Sequence, residues 1–299
     1  MPTATTTVDR RRRAVRALVA LGALTLALPL MLSPCTRTRD DRLPSGYRLV
    51  FEDDFDGTGL DAAVWQTAPF GGSLPAVVAD GVLTLRTTAA NGRRWGHVAS
   101  TGPRSPGEPS YPGMRAWQGG LFEARLRYTD DRWAWPAFWL FSAAKTEAWR
   151  PDGAGEDCPP DGGLNAEWDI VENGVDNGDG DRPASSWYAT FLHENTTDNT
   201  PDGYCGRADR QRAHRLHFPN VDLADWHDWA AHWTPDHLCT FLDGVLIQCT
   251  EPFASTAQPM HLVFTMQYLG RCAGCPPRPD ELVLQVDHVR VWQPEPGPD

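Results

Sequence analysis

The 299-residue chain has no apolar run long enough to span a bilayer: the stretch 17–32 stops short of the roughly 20 residues that a crossing helix needs. Sustained 3.6-residue periodicity is almost missing, which sets aside helical and α/β folds. Neither an internal repeat nor a second globular module is visible. Positive charge is scarce beyond the start. Residues 1–42 hold eight arginines against three acids, and removing that excess of five takes the formal net charge from −12 to −17. Such an acidic surface repels nucleic acid and anionic membranes and disfavours polyanionic partners. A second cysteine pair of matching spacing is also missing. Cys272 and Cys275 therefore form a lone C-x-x-C, better read as a short-loop disulfide or free thiols than as zinc ligands.

What the chain does have begins with arginines at 10–13 and 16 ahead of the apolar stretch, the charge order of a secretory signal. Export is expected, with an uncleaved anchor or a twin-arginine route as alternatives. Leu32-Ser33-Pro34-Cys35 resembles a lipoprotein cleavage site, although Pro34 stands where a small residue belongs; ordinary cleavage is the alternative to a lipid anchor at Cys35. Setting Cys35 aside leaves six cysteines, an even number that suits disulfides in an oxidising compartment. Cys239 and Cys249 flank the Leu242-Asp243-Gly244-Val245 turn and can face one another, and Cys158 and Cys205 lie in Gly- and Pro-rich loops where a bridge would tie two loops.

Period-two patterning marks short strands at 81–87, 121–128, 187–193, 229–233, 238–242, 245–249, 261–266 and 282–292. With 26 prolines and 27 glycines, the pattern predicts an all-β sandwich, long loops at 102–119 and 149–163, and a loose tail after 294.

One strand is unlike the rest. Glu167-Trp168-Asp169-Ile170-Val171-Glu172 puts three carboxylates into an otherwise apolar segment. Glu167 and Asp169 share a face, whereas Glu172 joins them only if one extra residue near Ile170 or Val171 bulges out. The glutamates are then four strand positions apart, about 13 Å between Cα atoms, and inward-leaning side chains shorten the gap. Carboxyl groups about 5–5.5 Å apart suit a retaining glycosidase and about 6.5–9.5 Å an inverting one; the former fits better. Asp169 between them would couple their titrations, keeping one glutamate ionised and the other protonated. A solvated acidic edge or a cation site explains the same spacing.

At these residues the sequence resembles glycoside hydrolase family 16, whose bulged signature is E-x-D-x-x-E. Phe51-Glu52-Asp53-Asp54-Phe55-Asp56-Gly57 with Trp65, Gly120-Leu121-Phe122-Glu123-Ala124-Arg125, Trp135-Pro136-Ala137-Phe138-Trp139-Leu140, Trp226-His227-Asp228-Trp229, Asp243-Gly244 and Val286-Asp287-His288-Val289-Arg290-Val291 follow in the family's order, over about residues 47–293. The resemblance implies a concanavalin A-like jelly roll of two curved antiparallel sheets, with a signal and linker at 1–42, a catalytic domain at 43–294 and a tail at 295–299. It also implies a secreted, monomeric, retaining endo-β-glycanase for which β-1,3-glucan is the expected substrate. Glu167 would be the nucleophile, Asp169 its tuning neighbour and Glu172 the acid/base, with no cofactor in catalysis.

Trp135 and Trp139 would contact sugar rings, since the family's matching positions line its cleft. His193 would stand near the acid/base or serve a structural role, and His217, His227 and His232 read as structural. A structural calcium would be held by Asp54, Gly81 and Asp287, calcium accepting backbone carbonyls as readily as carboxylates. The bulged motif differs from the E-x-D-x-E of the lichenase and xyloglucan branches. The chain departs from the family at Thr101-Gly102-Pro103-Arg104 and at Thr265-Met266-Gln267-Tyr268-Leu269-Gly270, which leaves fine specificity open. A galactanase, an exopolysaccharide glycanase, a transglycosylase and a non-catalytic glucan-binding protein are the alternatives.

Overall fold

Alternating burial runs through the strands; in 82–88, for example, Leu83, Leu85 and Thr87 turn inward while their neighbours are half-exposed. The computed structural model describes residues 45–69, 75–88, 97–102, 113–142, 165–173, 187–196, 208–218, 220–268 and 277–296. The leader with Cys35, the Cys158–Cys205 pair, Cys272 and Cys275, Arg104, Gly270 and the 149–163 loop lie outside them.

The first strands are β1 (Tyr47–Asp53), β2 (Gln66–Pro69), β3 (Val77–Ala79), β4 (Val82–Thr88) and β5 (His97–Ser100). There follow β6 (Gly120–Tyr128), β7 (Ala134–Ser142), β8 (Asn165–Glu172), β9 (Trp187–Thr196) and β10 (Ala208–His217). The last are β11 (His227–Trp233), β12 (Leu238–Leu242), β13 (Val245–Thr250), β14 (Met260–Tyr268) and β15 (Glu281–Pro294). Among the described residues these strands form two antiparallel sheets. One runs β13-β12-β11-β6-β15-β4-β3 with β1 also on β15, and the other runs β10-β9-β8-β7-β14-β5-β2. All eight segments marked by period-two patterning are strands, and the chain is the all-β sandwich that they imply.

The core lies between the sheets. Tyr188 of the second sheet stacks on Trp229 of the first, with ring centroids 5.2 Å apart and planes 17° apart. Phe138 stacks on Phe264, and Trp65 packs on Phe264 in turn. Each large side chain fully withdrawn from water contributes about 1.5–3 kcal/mol. Trp65, Trp229 and Trp233 are buried, so these tryptophans serve the core.

The β12–β13 hairpin turns at Asp243 and Gly244, both at positive φ (50° and 79°), the conformation that a two-residue turn requires and glycine adopts without strain. Cys239 and Cys249 face each other across this hairpin and are joined by a disulfide. His227 reaches the turn through Asp243, Nδ1 to Oδ2 at 2.8 Å, and His232 pairs with the hydroxyl of Tyr47. His217 stands exposed at the end of β10.

Candidate active site

β8 lies between β7 and β9, and its register carries the site. Against β7 it runs Glu167 to Phe141, Trp168 to Leu140 and Asp169 to Trp139; it then skips Ile170 and resumes with Val171 to Phe138 and Glu172 to Ala137. Ile170 is thus the extra residue of a β-bulge. Directly opposed residues share a sheet face. Glu167, Asp169 and Glu172 accordingly share the outer face of the second sheet with Phe141, Trp139 and Ala137, while Trp168 and Val171 turn into the core. Without the bulge Glu172 would point into the core, where an unpaired carboxylate is costly.

Neighbouring strands fix the three carboxylates. His193 of β9 lies opposite Glu167, and its Nε2 is 3.4 Å from Asp169 Oδ2. The Thr190 hydroxyl donates to the carbonyl of Asp169 at the start of the bulge. Trp135 donates its indole N–H to Glu172 Oε1 at 2.9 Å. Trp139, opposite Asp169, keeps its indole N–H buried with no hydrogen-bond partner among the described residues. On the same face, Gly102 lies so close to the buried His261 ring that a Cβ would come within 2.2 Å of it.

Asn173, which sequence reasoning passed over, anchors the end of the bulged strand. Its backbone N–H donates to the carbonyl of Pro136 (3.2 Å), its Oδ1 accepts from the N–H of Ala189 (3.2 Å), and its Nδ2 donates to the Tyr128 hydroxyl. The backbone N–H of Asn173 thus ties the residue after Glu172 to β7, and its buried side-chain amide ties it to β9 and the opposite sheet. Its only signal in the sequence is adjacency to the last carboxylate. Asn173→Ala removes the partner of the buried Ala189 N–H and the bond to Tyr128 and is expected to cost about 1–3 kcal/mol. Thermal denaturation measures that loss; an unchanged melting temperature would mean that the anchor is dispensable.

The electrostatics of Glu172 follow from its burial and its neighbours. Burial first, then the charges of Asp169 and Glu167, push the Glu172 carboxyl well above the ordinary glutamate range; the Trp135 hydrogen bond and His193 oppose the rise. Glu172 therefore holds its proton where a solvated glutamate has lost it. A face carrying a protonated carboxyl beside further carboxyl groups can both donate a proton and attack an electrophilic carbon. Ligand atoms of Glu167, Asp169 and His193 lie within 4.8 Å of one another, so this group could also hold a metal ion.

Asp54 and Gly81 lie together elsewhere, on the first sheet, beside the strand that carries Asp287. β1 and β4 occupy the same edge of β15 end to end, with Asp53 opposite Val289 and Leu83 opposite Val286. Asp287 sits at the register shift that β15 makes against β6 in that interval. The carbonyl oxygen of Asp54 comes within 3.9 Å of where a Cβ on Gly81 would stand. The Asp54 carboxylate itself is taken by Arg290, and one oxygen of Asp287 lies 2.8 Å from His288 Nδ1.

No family model matches the chain. A beta-glucanase from Rhodothermus marinus is 27% identical over 197 residues, covering 60% of this chain and 59% of that protein. The endo-1,3-1,4-beta-glycanase EglC of Rhizobium meliloti is 25% identical over 244 residues, 79% of this chain and 44% of that protein. The chain thus spans about half the length of these curated relatives. Among solved structures, the laminarinase from Flavobacterium sp. UMI-01 superposes with a TM-score of 0.58 at 19% identity, over 82% of this chain and 100% of that one. The fold is a jelly-roll β-sandwich of the kind seen in that laminarinase and in a glycoside hydrolase family 16 endo-glucanase from Bacteroides ovatus, which superposes with a TM-score of 0.60 at 15% identity. No helix among the described residues is long and apolar enough to cross a membrane.

Proposed function

We propose that this chain is an exported, retaining endo-β-glycanase that cleaves β-1,3-glucan by double displacement. The single observation behind this reading is the bulge at Ile170, which puts Glu167, Asp169 and a proton-holding Glu172 on one face. Glu167 attacks the anomeric carbon as Glu172 gives its proton to the leaving oxygen. Asp169, held by His193, positions Glu167. Glu172, now ionised, takes a proton from water, which displaces Glu167 from the other face, so two inversions restore the starting configuration. Trp135 and Trp139 present apolar ring faces to the sugar on the same side of the sheet.

The reading is supported by the beta-glucanase and beta-glycanase names of the relatives, and by the acidity of the chain, which favours a neutral polymer. Incubation with laminarin, lichenan, agarose and carrageenan tests it, with products resolved by size and their first-formed anomer read by NMR. Laminarin should be cut fastest, into oligosaccharides of mixed length that begin as the β anomer. Agarose or carrageenan cut fastest would overturn the substrate, and first-formed α anomer the mechanism. Intact mass of the exported protein decides whether residues 1–42 are removed and whether Cys35 carries a lipid.

A calcium ion at Asp54, Gly81 and Asp287 belongs to the same proposal. The Asp54 and Gly81 carbonyls and a carboxylate oxygen of Asp287 are hard oxygen donors of the kind that calcium accepts. When bound, the ion would neutralise acidic charge where β1, β4 and β15 meet. Chelator should then lower the melting temperature and added calcium restore it; an unchanged melting curve and no copurifying metal would remove the site.

A further inference from the structure

The strand that carries the departure at 265–270 has its own part in the site. Gln267 of β14 lies directly opposite Trp135 of β7, so its side chain is on the face that carries the three carboxylates. Its amide oxygen Oε1 is buried and has no hydrogen-bond partner among the described residues. Trp135, its nearest cross-strand neighbour, cannot supply one, because an indole has a single N–H and that of Trp135 is given to Glu172. A buried acceptor left unpaired is unfavourable, and this one belongs to the side chain directly across the strand pair from Trp135.

We infer that Gln267 is a specificity-determining residue whose amide oxygen accepts a hydrogen bond from a hydroxyl of the sugar bound against Trp135. The inference rests on the glycanase reading and sharpens it: only a donor satisfies this oxygen, so the subsite takes a ring with a free hydroxyl there and rejects one whose hydroxyl is methylated, sulfated or absent. Glycans substituted at that position are poor substrates even where the linkage is correct.

Gln267→Leu, which keeps the bulk but not the acceptor, tests it on laminaritetraose and its monodeoxy analogues. Wild type should lose about tenfold in kcat/KM on one analogue, in line with one buried hydrogen bond. The Gln267→Leu variant should lose about tenfold on the parent sugar, chiefly through KM, and nothing further on that analogue, with its melting temperature unchanged or raised. If the variant discriminates parent from analogue as wild type does, or if only its melting temperature falls, Gln267 is structural and the inference fails. Calorimetric binding of the same sugars separates the two readings. A wild type that cleaves no β-glycan, with binding still weakened by Gln267→Leu, overturns the glycanase and keeps the subsite; a wild type that cleaves, with binding unchanged by Gln267→Leu, overturns the subsite alone.

Discussion

Glu167→Ala and Glu172→Ala should both abolish polysaccharide hydrolysis, and azide should rescue them with opposite stereochemistry. An alkoxide is too poor a leaving group to depart without a proton, so loss of Glu172 costs the contribution of a general acid, about 10²–10⁴-fold. A β-glycoside with an acidic phenol as leaving group needs no such help and still glycosylates Glu167. The variant then lacks the base that activates water, and the intermediate accumulates. Azide needs no base; it attacks from the face opposite Glu167 and yields the β-glycosyl azide. In Glu167→Ala the nucleophile is missing, azide enters the space it leaves, and the single displacement gives the α-glycosyl azide. NMR of the two products reads the assignment directly. An α product from the Glu172 variant, or release of inverted sugar by wild type, would show that Glu167 is not the nucleophile.

This assignment could be framed from the sequence because a bulge leaves a mark in it. Carboxylates at 167, 169 and 172 break the period of two by one position, while Trp168 and Val171 keep the apolar side filled, and Ile170 is the residue left over. Likewise Asp243-Gly244 marks a hairpin because few residue pairs tolerate two successive positive φ angles. β10 was illegible for the converse reason. Its inward positions are Arg212, His214 and Leu216, and an arginine satisfies burial with its stem, lying over Phe253 while its head bonds the carbonyl of Glu251. Charged residues on an edge strand such as β10 also discourage pairing with other chains, so polarity there is the opposite of what a strand search looks for. Asn173 escaped because its role exists only in three dimensions: hydrogen bonds to β7, β9 and Tyr128 converge on one residue. The nearness of Asp54 to Gly81 depends on β1 and β4 sharing one edge of β15, which no local pattern contains.

The alkaline limb of kcat/KM should lie above the ordinary glutamate pKa of about 4.3 and should move in opposite directions in two variants. Glu172 works only while protonated, and kcat/KM reports the free enzyme's groups, so the limb follows its raised pKa. Asp169 is among the charges that raise it, and Asp169→Asn should bring the limb to lower pH; Trp135 lowers it through its hydrogen bond, and Trp135→Phe should carry the limb higher. The sign for stability follows from linkage. A carboxyl whose pKa is raised on folding contributes stability that is complete below its unfolded pKa and is lost as pH rises through its folded one. Glu172→Gln cannot ionise, so it escapes that loss: its melting temperature should match wild type in acid and exceed it increasingly towards neutral pH, although the variant is inactive. Rate profiles and melting curves over the same pH range check both. Limbs that move together in the Asp169 and Trp135 variants, or a Gln variant that grows relatively less stable as pH rises, would mean that the proton resides on another group.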